Sequence, residues 1–358
     1  MPEATLARRP FGTTKAGQQT ELFTLTAPEG AAVEITNYGG IVTRVRVPDR
    51  GGGLGDVALG YDDLGSYEAD SPYFGALIGR VGNRIGRGTF TVDGKTCQVP
   101  TNNGPNALHG GTVGYDKRVW GAEPVGQSSL RLTLVDPDGD MGFPGTVHAT
   151  VVYTFVAGGG GHTLRVEYTA TTDKPTPINL TNHSYWNLKD GGASPITGHE
   201  LRVAAEGFVP VDDHLIPTGR LAPVAGTAID FRQAKPMGRD LLAMGGTPPG
   251  YDHCLVLSDR PTRALAEAAT VYEPTTGRGM AVWTTEPGVQ FYTGNFLDGH
   301  HAGRGGVRYG QHTAFCLETE GYPDAVNQPA FPNTVLRPGE TYRSVTEHRF
   351  TASDRAPW

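Results

Sequence analysis

The chain has 358 residues, 51 of them glycine and 27 proline, and a formal net charge of −7. That acidic balance argues against a nucleic acid or an anionic membrane as partner, and no run of 18 or more apolar residues is present to span a bilayer. Glycine, at about 14% against a usual 7%, accompanies many short alternating apolar runs, the composition of a strand-and-turn protein and not of a disordered one.

The N-terminal M-P-E-A-T-L-A-R-R-P-F-G has two arginines but no apolar stretch behind them. No signal peptide is read there, and a soluble, cytoplasmic protein is expected. A short helical turn is expected near Asp62 to Ala69. Gly79 to Gly88 then reads G-R-V-G-N-R-I-G-R-G, which matches neither G-x-G-x-x-G nor a P-loop. It reads as a tight loop presenting Asn83 and Arg84. The arginine either offers a fork of hydrogen bonds to vicinal hydroxyls or is a plain surface residue beside turns.

Thr89 to Val99 contains Asp93-Gly94, a two-residue hairpin signal. Asn102 to Gly111 follows as N-N-G-P-N-A-L-H-G-G, where His109 is either an idle loop histidine or a ligand contact. The clearest strands come next. Leu130, Leu132 and Leu134 alternate with polar residues, as do Val147 to Phe155 and Leu164 to Ala170. The tetraglycine Gly158 to Gly161 between the last two reads as a hairpin loop in preference to an interdomain linker.

Asn179 to Leu188, N-L-T-N-H-S-Y-W-N-L, sets His183 among hydrogen-bonding and aromatic groups. Another short helical turn is expected around Arg239 to Met244. In P-G-Y-D-H-C-L-V-L, Asp252 stands at a strand entrance, either as a turn former or as a hydroxyl acceptor. Gln290 alternates with Phe291 and Tyr292 in G-V-Q-F-Y-T-G-N-F-L-D-G, an inward polar position among aromatics. Finally, F-C-L-E-T-E-G-Y-P-D-A-V-N-Q places Glu318 between two residues that point the other way from a strand. An imidazole and a carboxylate in such settings are the usual parts of a metal-free proton-transfer site. Aromatic neighbours with polar tips suit a sugar.

Other chemistries lack motifs. H-E-x-x-H, H-x-H and G-x-S-x-G are all missing, and His300-His301 falls in a glycine-rich loop. Cys97, Cys254 and Cys316 are an odd count without C-x-x-C, so buried reduced thiols are expected.

Six blocks carry a family resemblance: G-R-V-G-N-R-I-G-R-G-T-F, N-A-L-H-G-G, N-L-T-N-H-S-Y-W-N-L, Y-D-H-C-L-V-L, W-T-T-E-P-G-V-Q-F-Y-T-G-N-F-L-D-G, and the segment from F-C-L-E-T-E-G to R-P-G-E-T-Y. In this order, over about Asn37 to Tyr342, the chain resembles the aldose 1-epimerases (galactose mutarotases). The resemblance implies an all-β fold, a large twisted β-sandwich with few short helices, as one domain over residues 1–358. It implies Glu318 as general base and His183 as general acid, with Asn83, Arg84, His109, Tyr185, Asp252 and Gln290 lining a sugar pocket. The implied reaction interconverts α- and β-anomers of an aldohexose by ring opening, rotation and reclosure, without cofactor or metal. The expected partner is a small sugar, and the chain a monomer or homodimer. A relative acting on another hemiacetal or lactol, or a sugar-binding module without turnover, are the rival readings.

A carboxylate beside an imidazolium is expected to raise the histidine's pKa. Two departures from the family pattern stand out. Glu320 replaces a more common glutamine and is expected to raise the Glu318 pKa by like-charge repulsion. Trp186 replaces a common phenylalanine and is expected to reshape a pocket wall.

Overall fold

The computed structural model describes residues 4–358. The alternation becomes strand where the pattern is strongest. Val147–Gly158 and Gly161–Thr172 form a hairpin that pairs continuously from Val147 with Thr172 to Gly158 with Gly161. Gly159 and Gly160 make its turn with φ of 61° and 81°, the mirror-image turn that matches right-handed strand twist. Asp93 and Gly94 do the same between Thr89–Val92 and Lys95–Gln98, with φ of 49° and 77°.

The inward residues of the long hairpin, from Val147 to Phe155 and from Leu164 to Ala170, are buried. Each large aliphatic or aromatic side chain so placed contributes roughly 1.5–3 kcal/mol. A one-residue slip would turn that whole set to solvent, which is what holds the register.

This hairpin supplies the third and fourth strands of a nine-stranded antiparallel sheet. Its order is Gly121–Val125, Ser129–Asp136, Val147–Gly158, Gly161–Thr172, Tyr342–Ala352, Arg278–Thr284, Ala266–Tyr272, Glu200–Val203 and Lys235–Pro236. A five-stranded meander runs in chain order from Thr5–Thr13 to Leu54–Asp56. A second five-stranded sheet orders Ala222–Pro223, Gly207–Phe208, Asp252–Val256, Gly288–Tyr292 and Cys316–Glu320. Residues of all three sheets, among them Phe23, Tyr153, Phe291 and Leu317, meet in one hydrophobic core.

Helix is scarce. Leu64–Ala69 is a short α-helix capped by Asp63, whose carboxylate accepts from Ser66 N at 2.9 Å. Leu241–Met244 is a single 3₁₀ turn. Both fall where the helical turns were expected. No helix among the described residues is long and apolar enough to cross a membrane. All three cysteines are free thiols, but only Cys254 and Cys316 are buried. Cys97 is partly exposed because its short hairpin covers one face only.

The strand Cys316–Glu320 divides its side chains between core and site. Leu317 joins the core, and Thr319 Oγ1 lies 2.5 Å from Thr346 Oγ1 on the nine-stranded sheet. Cys316, Glu318 and Glu320 therefore share the opposite face. That face is buried too.

Candidate active site

Two neighbouring strands supply the floor of the site. Gln290 on Gly288–Tyr292 sits directly opposite Glu318 in the antiparallel register. Asp252 opens the next strand, and its Oδ1 accepts from Gln290 Nε2 at 2.6 Å. Gln290 Oε1 and Glu318 Oε2 are buried without a protein partner. Orphaned buried oxygens of this kind are costly unless something else satisfies them.

Loops supply the walls. Arg80, the first arginine of the glycine-rich loop, is buried and ties that loop to the large sheet. Its guanidinium donates to Asp136 Oδ2 at 2.8 Å and to the carbonyls of Pro144 and Gly145. Four residues on, Arg84 is only 7% exposed, so it is not a surface arginine. Its Nε donates to Asn103 Oδ1 at 3.0 Å, and among the described residues no carboxylate lies within ion-pair distance of it.

Asn83 and His109 both adopt left-handed backbone, with φ of 59° and 53°, a conformation costly for non-glycine residues and common at functional sites. They hold one another: Asn83 N donates to His109 Nδ1 at 3.1 Å. Asn83 also donates through Nδ2 to Glu320 Oε1 at 3.1 Å. The glycine after His109 is required, since a Cβ at Gly110 would collide with the carbonyl of Gly79.

His183 lies on the segment after the short strand Thr181–Asn182, which pairs with Leu77–Ile78. Its Nε2 is 3.6 Å from Glu318 Oε1. The Tyr185 ring stacks on its imidazole at 4.9 Å and 19°, while the Tyr185 hydroxyl donates to Pro72 O at 3.0 Å. All eight expected residues, Asn83, Arg84, His109, His183, Tyr185, Asp252, Gln290 and Glu318, line one cavity of about 230 Å³.

Six lining residues escaped the sequence reading: Pro72, Tyr73, Asn103, Leu108, Tyr292 and Phe296. Tyr292 was within reach, standing two residues from Gln290 on the same strand face. Tyr73 offered no pattern. Its backbone is left-handed at φ 65°, and its ring lies 5.8 Å from that of His183 at 22°. A wider groove of about 630 Å³ adjoins the cavity and shares Arg84, Asn103, Asp252 and Phe296 with it. A further cavity of about 390 Å³ at the tetraglycine turn shares no lining residue with the site.

Electrostatics correct the expectation for His183. A separation of 3.6 Å would allow an ion pair, yet burial acts against charge on both partners. It lowers the His183 pKa to about 3 and raises that of Glu318 well above the usual carboxylate range. Burial outweighs the pairing, so His183 rests neutral and Glu318 is pushed toward its protonated form. Glu320, when ionised, adds to the rise in Glu318 after burial itself. Trp186 does not reshape a pocket wall as expected. It is buried in the core against His348 and Phe350, away from the cavity lining.

His109, His183 and Glu318 bring potential ligand atoms within 4.8 Å of one another. The hydrogen bond from Asn83 N takes the Nδ1 lone pair of His109 and so assigns its proton to Nε2. His109 thus faces the cavity as a donor, which suits a hydroxyl and not a cation.

A profile of the family Aldose 1-epimerase matches residues 21–349. The chain is 44% identical to galactose mutarotase of Homo sapiens over 98% of its length and 100% of the relative's. It is 38% identical to aldose 1-epimerase of Escherichia coli K12, covering 94% and 96% of the two chains. The crystal structure of a GalM/aldose epimerase homologue from C. elegans matches with a TM-score of 0.84 and 30% identity, over 92% of this chain and 98% of that one. The profile, the relatives and the fold agree: the chain belongs to the aldose 1-epimerase family.

Proposed function

We propose that this protein interconverts the α- and β-anomers of aldohexoses such as D-galactose and D-glucose, with Glu318 and His183 as the two proton carriers. A pyranose hemiacetal opens when its C1 hydroxyl loses a proton and its ring oxygen gains one. The free aldehyde turns about the C1–C2 bond and closes on its other face. Glu318 as carboxylate takes the hydroxyl proton while His183 as imidazolium protonates the ring oxygen, and reclosure reverses both transfers. Each positioned acid or base supplies roughly 10² to 10⁴ in rate.

The observation that carries this reading is the buried imidazole–carboxyl pair at 3.6 Å on the cavity wall. Both reacting oxygens are bonded to the same carbon, so acid and base must stand side by side. The neutral pair and the ionised pair contain the same number of protons. One transfer from Glu318 to His183 Nε2 converts the resting form into the working form with no change in net charge. Polar contacts to the sugar would stabilise the charged form that burial alone disfavours.

Arg84, His109, Asp252 and the free oxygen of Gln290 hold the hydroxyls away from C1. Asn83 and Tyr185 have their polar groups engaged with protein atoms and shape the wall instead. Polarimetry on fresh α-D-galactose and α-D-glucose tests the reading. The optical rotation is expected to relax far faster than in buffer. Inert hexoses beside an active lactol would move the substrate to another hemiacetal, and no acceleration of any substrate would leave a binding module.

A further inference from the structure

One strand face holds both nitrogens of the proposed acid. Cys316 and Glu318 stand two residues apart on Cys316–Glu320 and point the same way. Glu318 Oε1 lies 3.6 Å from His183 Nε2, and Cys316 Sγ lies 3.6 Å from His183 Nδ1. The sulfur is wholly buried, and its only side-chain hydrogen-bond contact among the described residues is this imidazole. Burial raises its pKa well above the ordinary thiol value, so it stays an uncharged S–H group.

A neutral imidazole has two tautomers, and the partner of one nitrogen decides what the other can do. With hydrogen on Nδ1, Nε2 carries a lone pair on the side of the Glu318 carboxyl and is free to receive its proton. With hydrogen on Nε2, that transfer is blocked and the pair cannot ionise. We propose that Cys316 is a positioning residue for the epimerisation: its sulfur accepts from His183 Nδ1–H and so reserves Nε2 for proton exchange. This rests on the acid role proposed above for His183.

The choice of sulfur has a chemical consequence. Histidines whose second nitrogen meets a carboxylate are made more basic by it. A thiol is a weak acceptor with no charge. It orients the ring without adding a field that would hold the imidazolium proton, so His183 remains a ready donor to the ring oxygen. The stacked rings of Tyr185 and Tyr73 restrict the imidazole plane, and Cys316 selects the tautomer within that plane.

The test uses ¹⁵N NMR of the full-length protein labelled at histidine, with the His183 signals identified by their loss in His183→Asn. In the wild type, Nδ1 is expected protonated and Nε2 unprotonated. Cys316→Ala is expected to mix the tautomers and to lower kcat on galactose about five- to tenfold, the worth of one modest hydrogen bond, with KM within about twofold. Cys316→Ser, which restores an acceptor, is expected to recover both. A wild-type spectrum showing the Nε2–H tautomer overturns the proposal whether or not the variants fold. So does Cys316→Ala with unchanged kcat and tautomer. A fully active His183→Asn would instead remove the acid assignment itself.

Discussion

Glu320 offers the sharpest quantitative consequence of the buried acid cluster. It is 0% exposed, it accepts a single hydrogen bond from Asn83, and its Oε2 has no protein partner. Burial raises its pKa to about 8, and the neighbouring Glu286 and Asp252 add to the rise against the pull of Asn83 and Arg84. Because the folded pKa lies above the unfolded value of 4.5, the folded state binds more protons than the unfolded one between those limits. Stability is therefore complete below about pH 4.5 and falls as pH rises through 8. About 3.5 pH units separate the two values, and at about 1.36 kcal/mol per unit the loss is on the order of 5 kcal/mol at pH 9. Glu320→Gln keeps an oxygen for Asn83 Nδ2 and removes the titration. Urea unfolding of both proteins from pH 5 to pH 9 should show the variant gaining on the wild type by about 3 kcal/mol at pH 7 and more at pH 9. Parallel stability curves across that range would refute the buried neutral carboxyl.

Three further outcomes follow from the geometry. Arg80→Ala leaves Asp136 buried without its cation and should destabilise the fold by about 3–5 kcal/mol, read from denaturant midpoints. Arg84→Lys loses the fork that reaches past Asn103 and should raise KM about tenfold with kcat nearly unchanged in steady-state assays. Tyr73→Phe should keep wild-type kcat, because the ring and not the hydroxyl meets His183. Tyr73→Leu should lower kcat several-fold, and equal effects of the two substitutions would contradict a stacking role.

The sequence showed the strands where alternation ran longest, as in Val147 to Phe155, and the turns where Asp93-Gly94 and the tetraglycine marked them. The nine-stranded order was hidden, because Tyr342–Ala352 inserts between strands about 180 and about 70 positions away and no local pattern announces that pairing. Glu318 and Gln290 could be read as inward polar positions on strands. Asn83 and His109 sit on loops, and Arg84 opens a two-residue strand paired with Ala107–Leu108; these residues are individually commonplace, and family resemblance alone singled them out. The charge states were misjudged for a physical reason: burial of both His183 and Glu318 is a property of loop packing that no spacing reveals. Trp186 was misplaced because it follows Tyr185 on bridged, extended backbone, so the Tyr185 side chain faces the cavity and that of Trp186 the core.

The direct measurement is NMR exchange between the α and β anomeric signals of D-galactose, with wild type, Glu318→Gln and His183→Asn compared at equal concentration. Wild type should exchange the two signals rapidly, and each variant should slow exchange by at least about a hundredfold while keeping its fold. If either variant exchanged the anomers at the wild-type rate, the buried pair would not be the proton carrier.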